Sequence, residues 1–381
     1  MADCERPKSG RPDVLFMGLR SVGSGQGGVE SHVDQLAHEL DRLGYQLEIV
    51  VRTVYAGRES STRDQRTKIT PLWSFKQTSL ETIAHSFLAL AFAAVRRPRL
   101  LHVHAIGPSL VVPFARLLGL RVIITHHGED FRREKWGWFA RSMLRLGEAA
   151  GARFANQRIC VSSSLSAKLS EVYGRAFNYI PNGVRLGGAV SSDDTLARFG
   201  LVRGGYILTV SRLVPEKRHL DLIAAFRELD RPDLRLVIVG AADHGSEYSR
   251  LLEERAAATP GVILTGFQTG IALSELFSHC AVFALPSSHE GLPIALLEAL
   301  SYGRHVVASD ITANLDLHLP NDCYFKLGVI EELAARLRNA LAAYEKANGI
   351  DWSARLTEYT WPDVAAKTAA VYSKAGLLPH P

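Results

Sequence analysis

The chain has 381 residues and a formal net charge of +5, which is too long for one ordinary core and suits two domains. Its longest apolar stretch, Ser86 to Val95, has the length of a buried helix rather than a membrane span, and the polar, charged start MADCERPKSGRPD has no secretory pattern. Cys4, Cys160, Cys280 and Cys323 are scattered, with neither C-x-x-C nor His/Cys ligand spacing, which argues against disulfides and a structural zinc and favours a reducing cytoplasm.

The first β-rich run, Val14 to Leu19, enters the turn SVGSGQGGVES, where Gly23, Gly25 and Gly28 spell G-x-G-x-x-G. Helical spacing follows in Val29, Val33, Leu36, Leu40 and Leu43, closed by Gly44, and then an alternating strand, Leu47, Ile49, Val51. A glycine turn between strand and helix brings backbone N–H groups to a phosphate. A dinucleotide site also needs an acidic residue about 20 residues on, where this chain has Val51 and Arg52. That disfavours NAD. An NADP-dependent oxidoreductase using Arg52 stays open, as does a turn that only needs flexible glycines.

Further β-rich runs at Leu101 to His104, Val122 to Thr125 and Ile159 to Ser162 alternate with helical patterns, the grammar of a parallel sheet covered on both faces. His102 and His104 fall on one of these runs and read as satisfied core residues. Phe131 to Gly147 spaces Trp136, Phe139, Met143 and Leu146 along one helical stripe among Arg132, Arg133, Lys135, Arg141 and Arg145. A helix lying in an anionic membrane interface has this pattern, and so does a helix packing its stripe on its own domain. Up to Gly183 there are 25 Lys/Arg against 16 Asp/Glu, and beyond it 19 against 23. The basic excess is confined to the first half, where it suits an anionic partner.

After Ile180-Pro181-Asn182-Gly183 the pattern lapses into GVRLGGAVSSDDTLARFG, a linker candidate. The grammar restarts with Tyr206 to Val210, Leu234 to Gly240, Val262 to Gly266, Ala281 to Pro286 and His305 to Ser309. Between the last two lies PSSHEGLPIALLEALSYGRHVVASD, which leaves a strand, passes Glu290-Gly291-Leu292 and enters a helix at Pro293. Gly291 lets the backbone approach a ligand, and the helix N-terminus is electropositive, worth roughly 0.3 to 2 kcal/mol to a phosphate. Glu290 and Glu298 are eight residues apart, a separation that suits different parts of one elongated ligand better than one acid/base pair.

This stretch resembles the family 4 retaining glycosyltransferases of the GT-B fold, whose two glutamates are framed by P-S…E-G and G-x-x-V-V-A-S, matched here by Glu290, Glu298 and Gly303 to Ser309. Ser211-Arg212-Leu213-Val214-Pro215-Glu216-Lys217 resembles the loop whose Arg and Lys hold the donor diphosphate. Thr125-His126-His127-Gly128 resembles the place of a histidine beside the donor sugar, with His127 favoured over His126. Gly27-Gly28-Val29-Glu30 resembles the family's G-G-x-E, and Thr265-Gly266-Phe267-Gln268 the segment that reads the nucleobase. Two positions depart from the pattern: Ser211 stands where glycine is usual, and Gly240-Ala241-Ala242-Asp243 lacks a second glycine. A shorter phrase, Lys135-Trp136-Gly137 with Leu144 to Glu148, is similar to bacterial rhamnosyltransferase-like enzymes of surface-polysaccharide assembly.

The resemblance implies an α/β GT-B architecture, two Rossmann-like parallel-sheet domains facing each other across a cleft. Residues 1–183 would form the acceptor-binding domain, 184–358 the nucleotide-sugar-binding domain, and 359–381 a helix crossing back to the first. It implies hexose transfer with retention from a nucleoside diphosphate sugar to a lipid-linked saccharide acceptor, in exopolysaccharide, capsule or lipopolysaccharide synthesis. The expected catalytic residues are His127, Glu290, Arg212 and Lys217. Gly27, Gly28, Gly266, Phe267, Gly291, Leu292, Pro293 and Glu298 complete the donor site, with Glu290 on the sugar hydroxyls and Glu298 on the ribose. No cofactor is expected, and no metal, because D-x-D does not occur. Arg132, Arg133, Lys135, Trp136, Trp138 and Phe139 are candidates for meeting acceptor or membrane. The expected partners are the nucleotide-sugar donor, that acceptor and an anionic membrane surface, not nucleic acid, with the chain peripheral on the inner face of the plasma membrane. A sugar-nucleotide epimerase of the same fold, the NADP oxidoreductase and a membrane-docking scaffold without turnover are the competing readings.

Overall fold

A computed structural model describes residues 10–23, 27–55, 66–74, 80–132, 137–188, 190–242 and 245–377. The chain divides into two compact units, Met1–Asn182 together with Trp361–Pro381, and Gly183–Thr360.

The first unit is built on a seven-stranded sheet in the order β3-β2-β1-β4-β5-β6-β7. Its strands are β1 (Val14–Met17), β2 (Leu47–Arg52), β3 (Thr67–Leu72), β4 (Leu100–His104), β5 (Val122–His126), β6 (Gln157–Cys160) and β7 (Asn178–Tyr179), all parallel. Between them run α1 (Gly28–Arg42), α2 (Leu80–Arg96), α3 (Val112–Leu117), α4 (Trp138–Phe154) and α5 (Ser163–Tyr173). Successive strand residues face opposite sides, so β1 serves two cores at once. Val14 and Phe16 pack with Val33, Leu36 and Leu40 of α1. Leu15 and Met17 pack with Leu90 of α2, Val112 of α3 and Ala152 of α4. Covering helices on both faces explain why these strands read as continuous apolar runs.

The second unit carries a six-stranded sheet, β10-β9-β8-β11-β12-β13. Its strands are β8 (Tyr206–Val210), β9 (Arg235–Val239), β10 (Val262–Gly266), β11 (Val282–Leu285), β12 (His305–Ser309) and β13 (Tyr324–Phe325), again all parallel. The helices are α6 (Asp194–Arg198), α7 (His219–Arg227), α8 (Glu247–Ala257), α9 (Gly270–His279), α10 (Ile294–Ser301), α11 (Thr312–Leu315), α12 (Ile330–Lys346) and α13 (Ser353–Leu356). Ile207, Leu236, Ile238, Val282 and Val307 pack with Leu222 and Phe226 of α7 and Leu333 and Leu337 of α12. The Gly/Ser-rich stretch after Gly183 is tied down where the Thr195 N–H donates to Glu275 Oε2 at 2.7 Å. The last helix, α14 (Trp361–Lys374), belongs to the first unit and puts Trp361, Val364 and Tyr372 into its core.

In both sheets the strand order reverses beside the first strand, between β1 and β4 and between β8 and β11. Chain connections there leave to opposite faces, so the C-terminal strand ends open a crevice in which ligands of such sheets bind. The first unit sends residues 18–23 out of β1 and 105–107 out of β4. The second sends Ser211 to Lys217 out of β8 and Pro286 to Pro293 out of β11.

Candidate active site

In the second unit, the loop after β8 closes with a 3-10 turn, Pro215–Lys217, and Arg218 at φ 51 hands the chain to α7. That turn docks on the loop after β11. Both the N–H and the hydroxyl of Ser288 donate to the Glu216 carbonyl, at 2.8 and 3.2 Å. The docking brings Lys217 Nζ to 2.5 Å from Glu290 Oε1, with both side chains largely buried. Burial pushes the Glu290 carboxyl up, but the charge and hydrogen bond of Lys217 outweigh it and hold the group below the usual carboxylate range.

Glu298 differs. It lies on α10, half-buried, and its carboxylate has no hydrogen-bond or ionic partner among the described residues. Burial alone raises its pKa to about 7. The helix starts at Ile294 with Pro293 as its N-cap, one residue later than the sequence suggests, because Pro293 keeps an extended ψ of 108°. Arg212 is half-buried on the same loop as Lys217. Gly266 ends β10 at φ +71 with nothing within 4 Å of a Cβ position, and Phe267 beside it is exposed.

Of the two departures, Ser211 has a local account. Ser211 Oγ sits 2.8 Å from His219 Nε2, and His219 Nδ1 is 3.1 Å from the Tyr248 hydroxyl, which accepts the His219 N–H at 3.0 Å. Burial lowers the His219 pKa to about 3, so this ring is a neutral strut between β8 and α8. Gly240 itself is required: at φ +151, a Cβ would overlap the Ser211 carbonyl oxygen.

In the first unit, Gly27 caps α1 at φ 112, and a side chain there would collide with the Glu30 carboxylate. Gly28 faces open space, with nothing within 4 Å of a Cβ position. Gly25, which completes the G-x-G-x-x-G spacing, lies outside the described residues. Of the two adjacent histidines, His126 is committed internally. Its Nδ1 accepts the Gly128 N–H at 3.2 Å and its Nε2 meets Glu148 Oε2 at 3.0 Å, while the Tyr173 hydroxyl donates to Glu148 Oε1 at 2.9 Å. His127 is half-buried, with Nε2 3.0 Å from His104 Nδ1 and its ring edge-on to His32 at 4.9 Å between centroids. Burial, with the neighbouring rings, depresses the pKa of His104 and His127 well below the usual value, and burial lowers His32 to about 4. His102 is satisfied on both nitrogens, by Tyr372 Oη at 2.8 Å and Thr125 Oγ1 at 2.7 Å. His104 is not, because its Nε2 has no partner among the described residues.

Arg52, the residue an NADP site would use, is buried and engaged through both terminal nitrogens. It contacts Glu81 Oε1 at 3.1 Å and Thr82 Oγ1 at 3.3 Å. Breaking a buried pair of this kind costs several kcal/mol, about 3–5, so the guanidinium is not free for a 2′-phosphate.

On α4, Trp138, Phe139 and Leu146 are exposed together with Arg141 and Arg145. The helix packs through Gly147, Glu148, Ala150 and Gly151 instead. A Cβ on Gly147 would overlap the Ile106 carbonyl oxygen, so close backbone contact, not the aromatic stripe, seats this helix on its unit. Arg132 is exposed and paired with Glu129 at 2.9 Å. Arg133, Lys135 and Trp136 lie outside the described residues.

Two family models match the chain in tandem: "Glycosyltransferase Family 4" over residues 26–187 and "Glycosyl transferases group 1" over residues 201–356. The chain belongs to the family 4 glycosyltransferases of the GT-B fold. Among curated relatives of this glycosyltransferase is the GDP-mannose-dependent alpha-(1-6)-phosphatidylinositol monomannoside mannosyltransferase of Mycolicibacterium smegmatis. It is 29% identical over 74% of the chain and 77% of the relative. The UDP-Gal:alpha-D-GlcNAc-diphosphoundecaprenol alpha-1,3-galactosyltransferase of Escherichia coli is 29% identical over 52% of the chain, which spans only 54% of that relative. Among solved structures, Anabaena Alr3699/HepE in complex with UDP and glucose superposes with a TM-score of 0.78 at 19% identity, covering 95% of this chain and 99% of that one. A sucrose-phosphate synthase from Thermosynechococcus elongatus gives 0.77 at 20% identity, over 95% and 98% of the two chains.

In this glycosyltransferase the structure joins Lys217 to Glu290, a contact that no sequence spacing announces across 73 residues. It also joins His127 to His104 and His32. Sequence reasoning missed His32, although it stands one helical turn beyond Gly28, and Glu148, although it is the one acid in the buried face of α4.

Proposed function

We propose that this glycosyltransferase moves a hexose from a nucleoside diphosphate sugar to a lipid-linked glycan acceptor, with retention at the anomeric carbon and without a metal on the diphosphate. The observation that carries the reading is the buried Lys217–Glu290 pair at the switch point of the second sheet. Lys217 and Arg212 supply charge-assisted donors for a leaving diphosphate that gains negative charge as the glycosidic bond breaks. With donor absent, Glu290 keeps the Lys217 ammonium from standing buried and uncompensated. With donor present, the ammonium turns to phosphate and the carboxylate accepts from sugar hydroxyls. Glu298 accepts from the ribose, Gly291 to Pro293 present the α10 N-terminus, and Gly266 and Phe267 line the base. Gly27 and Gly28 offer backbone N–H groups to phosphate, and neutral His127 hydrogen-bonds the sugar. Retention then proceeds on one face: the leaving phosphate oxygen takes the acceptor proton as the acceptor oxygen bonds the anomeric carbon, so no protein nucleophile is required.

Two relatives bear on the acceptor, since their names specify a phosphatidylinositol mannoside and a diphosphoundecaprenol carrier. The exposed aromatic and basic face of α4 supports a lipid surface as the place where such an acceptor is met. Among the described residues no helix is long and apolar enough to cross a membrane, so that contact would be peripheral.

The test is transfer by folded Glu290→Gln and Lys217→Ala variants. Each is expected to lose about 10²–10³-fold in turnover, the scale of removing one preorganised charge contact, with unchanged circular dichroism. Full turnover in either overturns the assignment. Thermal stabilisation by UDP-, GDP- and dTDP-sugars identifies the donor, because a ligand at about 100 times its Kd adds about 2.7 kcal/mol.

A further inference from the structure

One ring nitrogen from each of His32, His104 and His127 lies within 4.8 Å of the other two. His32 and His104 are almost wholly buried; among the described residues His32 Nδ1 has no partner, and His104, which meets His127 through Nδ1, has none at Nε2. Buried polar atoms are ordinarily paired, at a cost of roughly 1–3 kcal/mol when they are not. The Asn182 side chain hydrogen-bonds the His32 ring and, since Nδ1 is open, does so at Nε2; once the amide presents its oxygen to an Nε2–H, the Nδ1 lone pair is left for a ligand. An open nitrogen on His32 beside two further imidazole nitrogens only 3.0 Å apart, all in one buried cluster, marks a place that can serve more than packing.

We infer that His32, His104 and His127 form a site for a borderline divalent cation of the Zn2+ class, and that its occupancy inhibits transfer. Three neutral imidazoles without a carboxylate suit Zn2+, Co2+ or Ni2+ and not Mg2+ or Ca2+, which require oxygen ligands. Tetrahedral coordination at about 2.0–2.1 Å sets nitrogens about 3.3 Å apart. The His104–His127 pair, now at 3.0 Å, opens slightly, while His32 closes in by a side-chain rotation. Each imidazole keeps one proton and gives one lone pair: the ring now donating between His104 and His127 moves its proton to its other nitrogen. No proton leaves and the cation keeps its full charge. His127 is the half-buried member, so the fourth coordination position opens on its side. The inhibitory consequence rests on the proposed role of His127 at the donor sugar, since a metal-bound ring can no longer turn to it.

The test uses the full chain. Zn2+ binding is measured by competition with a chromophoric chelator, and Co2+ by its visible absorption, in wild type and in His32→Gln and His104→Gln, with Mg2+ as control. One Zn2+ per chain, a tetrahedral Co2+ spectrum and at least a tenfold weaker affinity in each folded variant are expected. No uptake, or equal uptake by the variants, overturns the site. Should a variant not fold, diethyl pyrocarbonate modification of wild-type His127, mapped by mass spectrometry, decides: Zn2+ protects it if the site exists and leaves it reactive otherwise. Binding without a fall in transfer overturns the inhibitory role. A chain that binds Zn2+ in this way yet transfers no sugar overturns the functional reading and leaves the metal site standing.

Discussion

Glu298 shows what a single unpaired group costs a fold and what it offers a ligand. Its carboxyl is raised from 4.5 to about 7 by burial alone, whereas Glu290, eight residues earlier, is held below the ordinary range by Lys217. For Glu298 the folded state keeps a proton between pH 4.5 and 7 that the unfolded chain has lost. Stability therefore falls as pH rises through that window and carries the full penalty above it. Glu298→Gln removes the charge and should melt higher than wild type by an amount near zero at pH 4.5 that grows to a plateau above pH 7, roughly 1–3 kcal/mol after allowing for partial exposure. A difference independent of pH would show that burial of charge is not the cause. Under the proposed function, ribose hydroxyls stabilise the ionised form, so nucleotide affinity should weaken as pH drops below about 7, the pKa of the free carboxyl. Isothermal titration at two pH values in buffers of different ionisation enthalpy would detect the proton released on binding.

At the scale of elements, the glycine turn after β1 separates backbone need from ligand need. Gly23 has φ +79, while Gly28 is in the helix with open space around it. Gly23→Ala should lose about 1 kcal/mol of stability, because a Cβ is strained there, and still use donor. Gly28→Ala should melt like wild type and bind nucleotide sugar more weakly, as read by thermal shift and turnover; the reverse pattern would remove Gly28 from the donor site. Gly147→Val belongs to the same scale. Its side chain would press on the Ile106 carbonyl, so α4 should loosen and the first unit lose about 1–3 kcal/mol of stability, read as a lower melting point. The apolar strand runs of both sheets were legible because two-sided burial leaves no polar alternation to interpret. The polar edge strand β3, Thr67–Leu72 with Lys68 and Pro71, was not, since one side of an edge tolerates lysine and proline. The two-residue strands β7 and β13 carry too little pattern to be seen. The Glu290 frame was legible as local sequence. The histidine cluster was not, because α1, β4 and the turn after β5 meet only in three dimensions, and each histidine alone fits a core.

For the whole molecule, the decisive connection is the one that leaves the second unit and returns. Thr360 still pairs with Val184 in the second unit, and the next residue, Trp361, is already in the first unit's core with Val364, Ala365, Val371 and Tyr372. Tyr372 also satisfies His102 Nδ1 at 2.8 Å, so α14 supplies both apolar cover and the partner of a buried polar ring. Side chains of this size contribute about 1.5–3 kcal/mol each when buried, and domains rarely keep more than about 5–15 kcal/mol in total. A chain ending at Thr360 should therefore lose the first unit while the second, whose core contains no residue of α14, stays folded. Calorimetry of the truncated chain is expected to retain one cooperative transition, and limited proteolysis to leave a protected fragment starting near Gly183. A truncated chain that melts as wild type, with both units protected, would show that α14 is an accessory and not part of the first core.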